Sequence, residues 1–217
     1  QNQIHSMVLS NHETCGQIDT FLSLFPLDQF AHLESLTFVQ IEQQNVAKIK
    51  TLLPALAILH TFRLLDVVDL EHEEEQILAS LSMARLQRLS LPSLPPLKTS
   101  CIITHLTVFG CTLYQLVHQC FEHTPLLKYL HVQNVYRTGP PIEVNESPRL
   151  APHLKQLIID NYEYLFDAFE IFVQLTPNLT RLTISAFDNI CLIDANRWQP
   201  LITFSLQSLQ TFRMRSQ

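Results

Sequence analysis

Histidine and cysteine side chains that could bind zinc lie close together in one stretch of the sequence, "HQCFEH". His118, Cys120 and His123 fall within it, and Cys111 precedes it. Structural zinc sites usually combine two spaced ligand pairs such as C-x-x-C, and no such pair occurs here. On a helix, Cys120 would face the core and the two histidines would face solvent. We therefore predict no metal and no cofactor at this stretch.

The sequence lacks the motifs on which hydrolytic and phosphoryl-transfer chemistry depend. G-x-S-x-G, H-E-x-x-H and the protein-kinase motifs are all absent. Only three glycines occur in 217 residues, and they form neither G-x-G-x-x-G nor a P-loop. The sequence predicts a protein that is not an enzyme.

Arginine is the residue type with the clearest binding chemistry in this chain. Arg63, Arg88 and Arg181 each lie in a short stretch where apolar and polar residues alternate. A guanidinium group donates paired hydrogen bonds to a carboxylate or a phosphate group. Whether such residues could act together depends on the elements that carry them.

Those elements contain a repeated sequence motif, or phrase. "LLKYLHVQN" begins at Leu126, "HLKQLIIDN" at His153 and "NLTRLTISA" at Asn178, and all three read L-x-x-L-x-(apolar). Most spacings between such phrases fall in the window of roughly 20–29 residues that is typical of leucine-rich repeats. Apolar residues at positions 1, 4 and 6 define repeats that begin near Ile4, Leu33, Leu59, Leu86, Ile103, Leu127, Leu154, Leu179 and Leu209.

The spacing predicts a strand in each repeat, followed by a helix or an irregular segment. Alternate side chains of a strand share a face, so positions 4 and 6 are predicted to point into the core together. One repeat cannot bury its apolar side alone, whereas stacked repeats share a continuous core. Apolar residues at helical spacing predict helices over 44–56, 73–86, 113–127 and 162–179, and proline-marked segments over 91–100 and 136–152 are predicted to be irregular.

On these motifs the chain resembles leucine-rich repeat proteins of the ribonuclease-inhibitor-like kind. The resemblance implies one α/β domain over residues 1–217, a solenoid with a curved parallel sheet on its concave face and helices and irregular segments on its convex face. The family usually has Asn or Cys at position 9, where this chain has only Cys111. Asn11, Asn134 and Asn161 lie one place earlier, so we expect the turn after each strand to differ from the family's usual form.

A narrower resemblance concerns residues 177–215, "PNLTRLTISAFDNICLIDANRWQPLITFSLQSLQTFRMR". This stretch is similar to the terminal repeats of divergent invertebrate F-box proteins with leucine-rich repeats. In that family an N-terminal F-box recruits a cullin-RING ubiquitin ligase through a Skp-type adaptor, and the repeats select the substrate. No F-box is recognisable within residues 1–217, and we interpret the chain as a fragment. An adaptor would therefore bind only through an F-box outside these residues.

Positions 3 and 5 of the repeats are predicted to project from the concave face, where a protein partner would bind. They include Arg63, Arg88, Arg181 and Arg213 and no acidic residue, although the chain has 20 acidic and 14 basic residues. This bias favours an acidic or phosphorylated segment as the partner. Aromatic and arginine side chains dominate protein interfaces. With the position-2 lysines, which would be neighbours, the predicted partner-binding residues are Arg63, Arg88, His105, Lys128, Tyr129, His131, Lys155, Ile158 and Arg181.

Charge and composition exclude other classes of partner. The net charge of −6 argues against general nucleic-acid binding, and no apolar run is long enough for a membrane span. Five cysteines, an odd number, indicate reduced thiols and thus the cytoplasm or the nucleus. The sequence predicts the substrate-recognition region of an F-box ligase subunit. The alternatives are an intracellular leucine-rich repeat scaffold or inhibitor without a ligase link, and an extracellular recognition receptor.

Overall fold

The computed structural model describes residues 4–25, 29–67, 73–138, 149–185, 192 and 194–215. The chain divides into two compact units, Gln1–Pro95 and Pro96–Gln217. Both units consist of short parallel strands joined by helices or irregular segments, which confirms the predicted α/β architecture with parallel strands. One repeat domain over the whole chain stays a prediction.

Every repeat contributes one strand, and each strand begins at position 3 of its repeat. The first unit contains β1 (Ser6–Ser10), β2 (Ser35–Val39), β3 (Thr61–Leu65) and β4 (Arg88–Ser93). The second unit contains β5 (His105–Thr112), β6 (Tyr129–Tyr136), β7 (Gln156–Tyr162), β8 (Arg181–Ser185) and β9 (Thr211–Arg215). Within each unit, strands adjacent in sequence are paired in parallel with like positions opposite each other, as Leu157 and Leu182 show. This regular stacking is solenoid-like within each unit.

Helices connect most of these strands. In the first unit they are α1 (Gln17–Leu24), α2 (Gln43–Leu52), which is followed by a 3₁₀ turn (Leu53–Ala55), and α3 (Glu73–Ser80). In the second unit, α4 has three consecutive segments: Leu113–Gln115, π-helical Leu116–Cys120 and Phe121–His123. There, α5 (Phe166–Gln174) follows, and then α6, which comprises Ala195–Pro200 and π-helical Leu201–Ser205.

The helix boundaries differ from those predicted. Pro54 has no amide hydrogen, and α2 gives way to the 3₁₀ turn where it lies. The predicted helices 73–86 and 113–127 end early, at Ser80 and His123. The predicted helix 162–179 begins at Phe166, because Tyr162 still belongs to β7.

The irregular segments and α1 also need correction. The segment 91–100 begins inside β4, which ends at Ser93. Within 136–152, residues 139–148 lie outside the described residues. Helix α1 was not predicted at all. Its N-cap, Gly16, has a left-handed backbone (φ 77°) and no capping side chain, and Asn11 accepts a hydrogen bond from the Ile18 amide instead (3.0 Å).

The core of each unit is made mainly by the residues predicted to point inward, but Met214 at position 6 of the last repeat is 36% exposed. In β7, Leu157 and Ile159 are fully buried, whereas Ile158 between them is half-exposed. Beneath the sheet of the second unit, the Trp198 ring lies 5.2 Å from that of Phe166 and 4.5 Å from that of Phe212. Alternation in the strands therefore leaves one face of each sheet free of the core.

Two of the asparagines at position 8, Asn134 and Asn161, lie inside extended strands, whereas Asn11 follows the end of β1. Asn161 donates to the Asn134 side chain (3.3 Å), and Asn134 donates to the Phe109 carbonyl (3.3 Å). Because β5, β6 and β7 continue past position 8, these side chains join neighbouring strands within the sheet.

Candidate partner-binding face

The side chains that point away from the core form two surfaces. We call those of β1–β4 the first face and those of β5–β9 the second face. Both consist of positions 3, 5 and 7 of the repeats. The predicted residues Arg63 and Arg88 belong to the first face, and His105, Tyr129, His131, Ile158 and Arg181 belong to the second.

On the first face, Arg63 and Arg88 occupy diagonal positions of neighbouring strands. Arg63 lies opposite Ser90, and Arg88 lies opposite Thr61. Both arginines are exposed, and neither has an ion-pair partner among the residues that the structure describes. A cleft of about 300 Å³ is lined by His60, Thr61, Gln87 and Arg88 at the start of these strands. The two guanidinium groups are therefore available to an anionic group of a partner.

The second face carries a stacked aromatic pair at its start. The rings of His105 and Tyr129 lie 5.7 Å apart with an interplanar angle of 27°. They are opposite each other in the register of β5 and β6. Burial raises the pKa of the Tyr129 hydroxyl, and the negative charge of Asp160 raises it further. The hydroxyl is therefore protonated at neutral pH and can donate a hydrogen bond to a partner.

An acidic residue on the second face was missed by the sequence analysis. Asp160 lies at position 7 of β7, and its Oδ2 is 2.6 Å from Nε2 of His131. Positions 3 and 5, which were predicted to form the face, contain no acidic residue. The alternation of the strand continues to position 7, and this signal could have placed Asp160 on the face. The pair fixes the His131 ring and leaves the Asp160 side chain 40% exposed.

The two lysines are neighbours, as predicted, but they lie at the rim. The Lys155 amide donates to the Lys128 carbonyl (2.9 Å), and both side chains are exposed. The Lys155 ammonium donates to the Asn178 carbonyl (3.3 Å) in the turn before β8. This contact directs the Lys155 charge toward that turn.

Ile158 and Arg181 occupy the middle and the far side of the second face. Ile158 lies between His131 and Thr183 in the register, with its side chain half-exposed. Arg181 lies between Gln156 and Thr211 and is exposed. The structure thus brings an aromatic pair, an apolar group and a cation onto one sheet face.

The candidate zinc ligands lie elsewhere, in α4 and at the end of β5. Cys120 is fully buried, as predicted, and burial raises its thiol pKa to about 12. His118 and His123 are half-buried. Within the described ranges, no group of three or more His, Cys, Asp or Glu side chains is arranged to hold a metal ion. Cys15, Cys101, Cys111 and Cys120 are free thiols.

No protein-family model, no curated protein and no solved structure matches this chain. In the part of the chain that the structure describes, no helix combines the length and apolar character that crossing a bilayer requires.

Proposed function

We propose that this chain is a non-catalytic protein-binding module whose second face receives a protein partner. The observation that supports this most strongly is the composition of that face. The stacked His105–Tyr129 pair, half-exposed Ile158 and 53% exposed Phe109 lie among polar side chains. Aromatic groups with a polar rim are typical of interfaces, and the exposed part of the Phe109 side chain does not contribute to core packing.

The repeat assignment is part of the same proposal. We propose a leucine-rich repeat solenoid of the ribonuclease-inhibitor-like kind. The L-x-x-L-x-(apolar) phrase and the start of each strand at position 3 of its repeat support this assignment. In such a solenoid, the repeated apolar residues form the core and the residues between them bind the partner.

The proposed partner is a protein with an acidic or phosphorylated segment. Arg63, Arg88 and Arg181 are exposed and have no ion-pair partner in the described ranges. The carboxylate of Asp160 is bonded to His131 and makes no ion pair with these arginines in the described ranges. Charge complementarity of this kind raises association rates and selects among partners.

Charge reversal tests this proposal. We expect Arg181→Glu on the second face to abolish capture of specific partners from a cell extract, measured by quantitative mass spectrometry, and Arg63→Glu with Arg88→Glu to affect only partners that bind the first face. The control reverses Arg85, Lys98 and Arg149, which are exposed and lie outside the strands. Unchanged capture by the first variant would contradict the proposal.

Truncation of the aromatic anchor tests where the centre of binding lies. We expect Tyr129→Ala to weaken binding of a captured partner at least tenfold, since an anchoring aromatic contributes about 2 kcal/mol or more. Phe204→Ala is the matched control, because Phe204 is 75% exposed and lies in α6. Equal affinities of the two variants would place the centre of binding elsewhere.

We propose further that the module is the substrate-recognition region of an F-box subunit of a cullin-RING ubiquitin ligase in the cytoplasm or nucleus. The resemblance of residues 177–215 supports the ligase link, and the free thiols support the compartment. The test is co-purification of a Skp-type adaptor with the protein expressed from its complete transcript. Absence of the adaptor would leave a protein-binding module without a ligase role.

A further inference from the structure

Three arginines gather on the second face where β8 and β9 pair. Arg181 lies opposite Thr211, Arg213 lies opposite Thr183, and Arg215 lies opposite Ser185. With a strand spacing of about 4.8 Å and a rise of about 3.3 Å per residue, the Cα atom of Arg181 is roughly 8 Å from that of Arg213 and roughly 14 Å from that of Arg215. An extended arginine side chain reaches about half the longer distance, so the three guanidinium groups can contact the same anionic group above the sheet from different sides.

The positive charge of this cluster is not neutralised within the described part of the chain. Arg181, Arg213 and Arg215 are exposed, and none of them makes an ion pair or a side-chain hydrogen bond there. The one acidic residue at positions 3, 5 and 7 of β5–β9 is Asp160 on β7, which pairs with His131. By contrast, the guanidinium of Arg197 in the same unit contacts Asp167 and lies 4.3 Å from the Phe166 ring centre.

We propose that Arg181, Arg213 and Arg215 form a subsite, the arginine subsite, for a phosphorylated serine or threonine side chain of the partner. This inference rests on the protein-binding function proposed above. A carboxylate carries one negative charge and is satisfied by a single bidentate arginine. A phosphate monoester carries about −1.5 to −2 charges and offers three strong acceptor oxygens, which matches three converging guanidinium groups.

A phosphopeptide fits this subsite better than a nucleic acid does. The chain carries a net charge of −6, which repels an extended polyanion outside the cluster. The neighbouring strands offer Ile158, Tyr129 and the His131–Asp160 pair, which can contact peptide side chains on either side of a single phosphate. Thr183 and Thr211 lie between the arginines in the register and can add hydroxyl groups to the same ligand.

The test measures binding of defined probes to the full chain by fluorescence polarisation. The probes are three labelled peptide pools of random sequence with a central phosphoserine, serine or aspartate, and a labelled single-stranded oligonucleotide. We expect the phosphoserine pool to bind at least tenfold more tightly than the other three probes. In the triple variant Arg181→Gln, Arg213→Gln and Arg215→Gln, this preference is lost, whereas Arg85→Gln, Lys98→Gln and Arg149→Gln retain it.

Three outcomes would overturn the inference. Equal binding of the phosphoserine and aspartate pools would show that the arginines provide only general charge. Tighter binding of the oligonucleotide through the same arginines would make the cluster a nucleic-acid surface. If the triple arginine variant still binds every partner whose binding requires Tyr129, the arginine subsite is refuted while the proposed protein-binding function stands. If no partner depends on Tyr129, the proposed function itself is refuted.

Discussion

Leu157 and Ile158 are adjacent residues of β7 whose side chains point to opposite sides of the sheet. Leu157 is fully buried and lies between Leu130 and Leu182 in the register. Ile158 is half-exposed on the second face. The pair therefore separates the residues that build the core from those that are free to bind.

We predict that Leu157→Ala lowers the free energy of unfolding by about 3 kcal/mol, because it removes buried methyl groups and leaves a cavity. Ile158→Ala removes apolar area that is already partly in water, and we expect a loss of about 1 kcal/mol or less. With an assumed urea m-value of about 3 kcal/mol/M, the midpoints shift by about 1 M and about 0.3 M.

The assay is urea unfolding followed by tryptophan fluorescence. The chain has a single tryptophan, Trp198, which is buried in the second unit against Phe212 and so reports on the sheet that contains β7. Far-UV circular dichroism on the same samples shows whether the first unit unfolds separately. Equal midpoint shifts for the two variants, or a larger shift for Ile158→Ala, would refute the assigned alternation.

Three further predictions concern the fold. We expect Asn11→Ala to cost about 2 kcal/mol in a thermal melt, because it leaves the buried Ile18 amide without its acceptor; a loss under about 0.5 kcal/mol would contradict this contact. Burial raises the Cys120 pKa to about 12, so the contribution of the buried thiol to the free energy of unfolding is complete below about pH 9 and falls by about 1.4 kcal/mol per pH unit as pH rises toward 12. Over this range the urea midpoint of Cys120→Ala should fall less steeply than that of the unsubstituted protein. Parallel pH profiles of the two proteins would contradict this prediction. In Gly110→Ala the new Cβ would lie 2.5 Å from the Tyr136 ring, which is 37% exposed and can move away. We expect the substitution to lower the free energy of urea unfolding by about 1 kcal/mol, and to have no such effect when Tyr136→Ala is already present. Additive losses in the double variant would disprove the contact.

The strands could be predicted from the sequence because their signal is local and repeated. Alternation within a strand and the same motif in each repeat mark the same position every time, and the structure begins every strand at position 3, from Ser6 to Thr211. The helix ends could not be predicted as well. Helix α1 has Gly16 at its N-cap, and the group that satisfies its first turn is Asn11, which lies in the preceding strand connection.

The residues of the candidate site at positions 3 and 5 could be placed on one face from the sequence, but their contacts could not. Period-2 alternation placed His105, Tyr129, His131 and Ile158 on one face. The bond between His131 and Asp160 joins residues 29 apart in sequence and depends on the register of β6 and β7. Such a pair becomes visible only when neighbouring repeats are aligned through position 7.

The most direct measurement of the central claim is site-specific photocrosslinking from the second face. A benzophenone side chain at position 158 replaces Ile158, and the matched control replaces Gln174, which is exposed in α5 on the opposite side of the sheet. After irradiation in a cell extract, we predict that a specific protein crosslinks at position 158, not at position 174, and that Tyr129→Ala abolishes the crosslink. Equal crosslinking at both positions, or crosslinking confined to position 174, would contradict a partner-binding role for the second face.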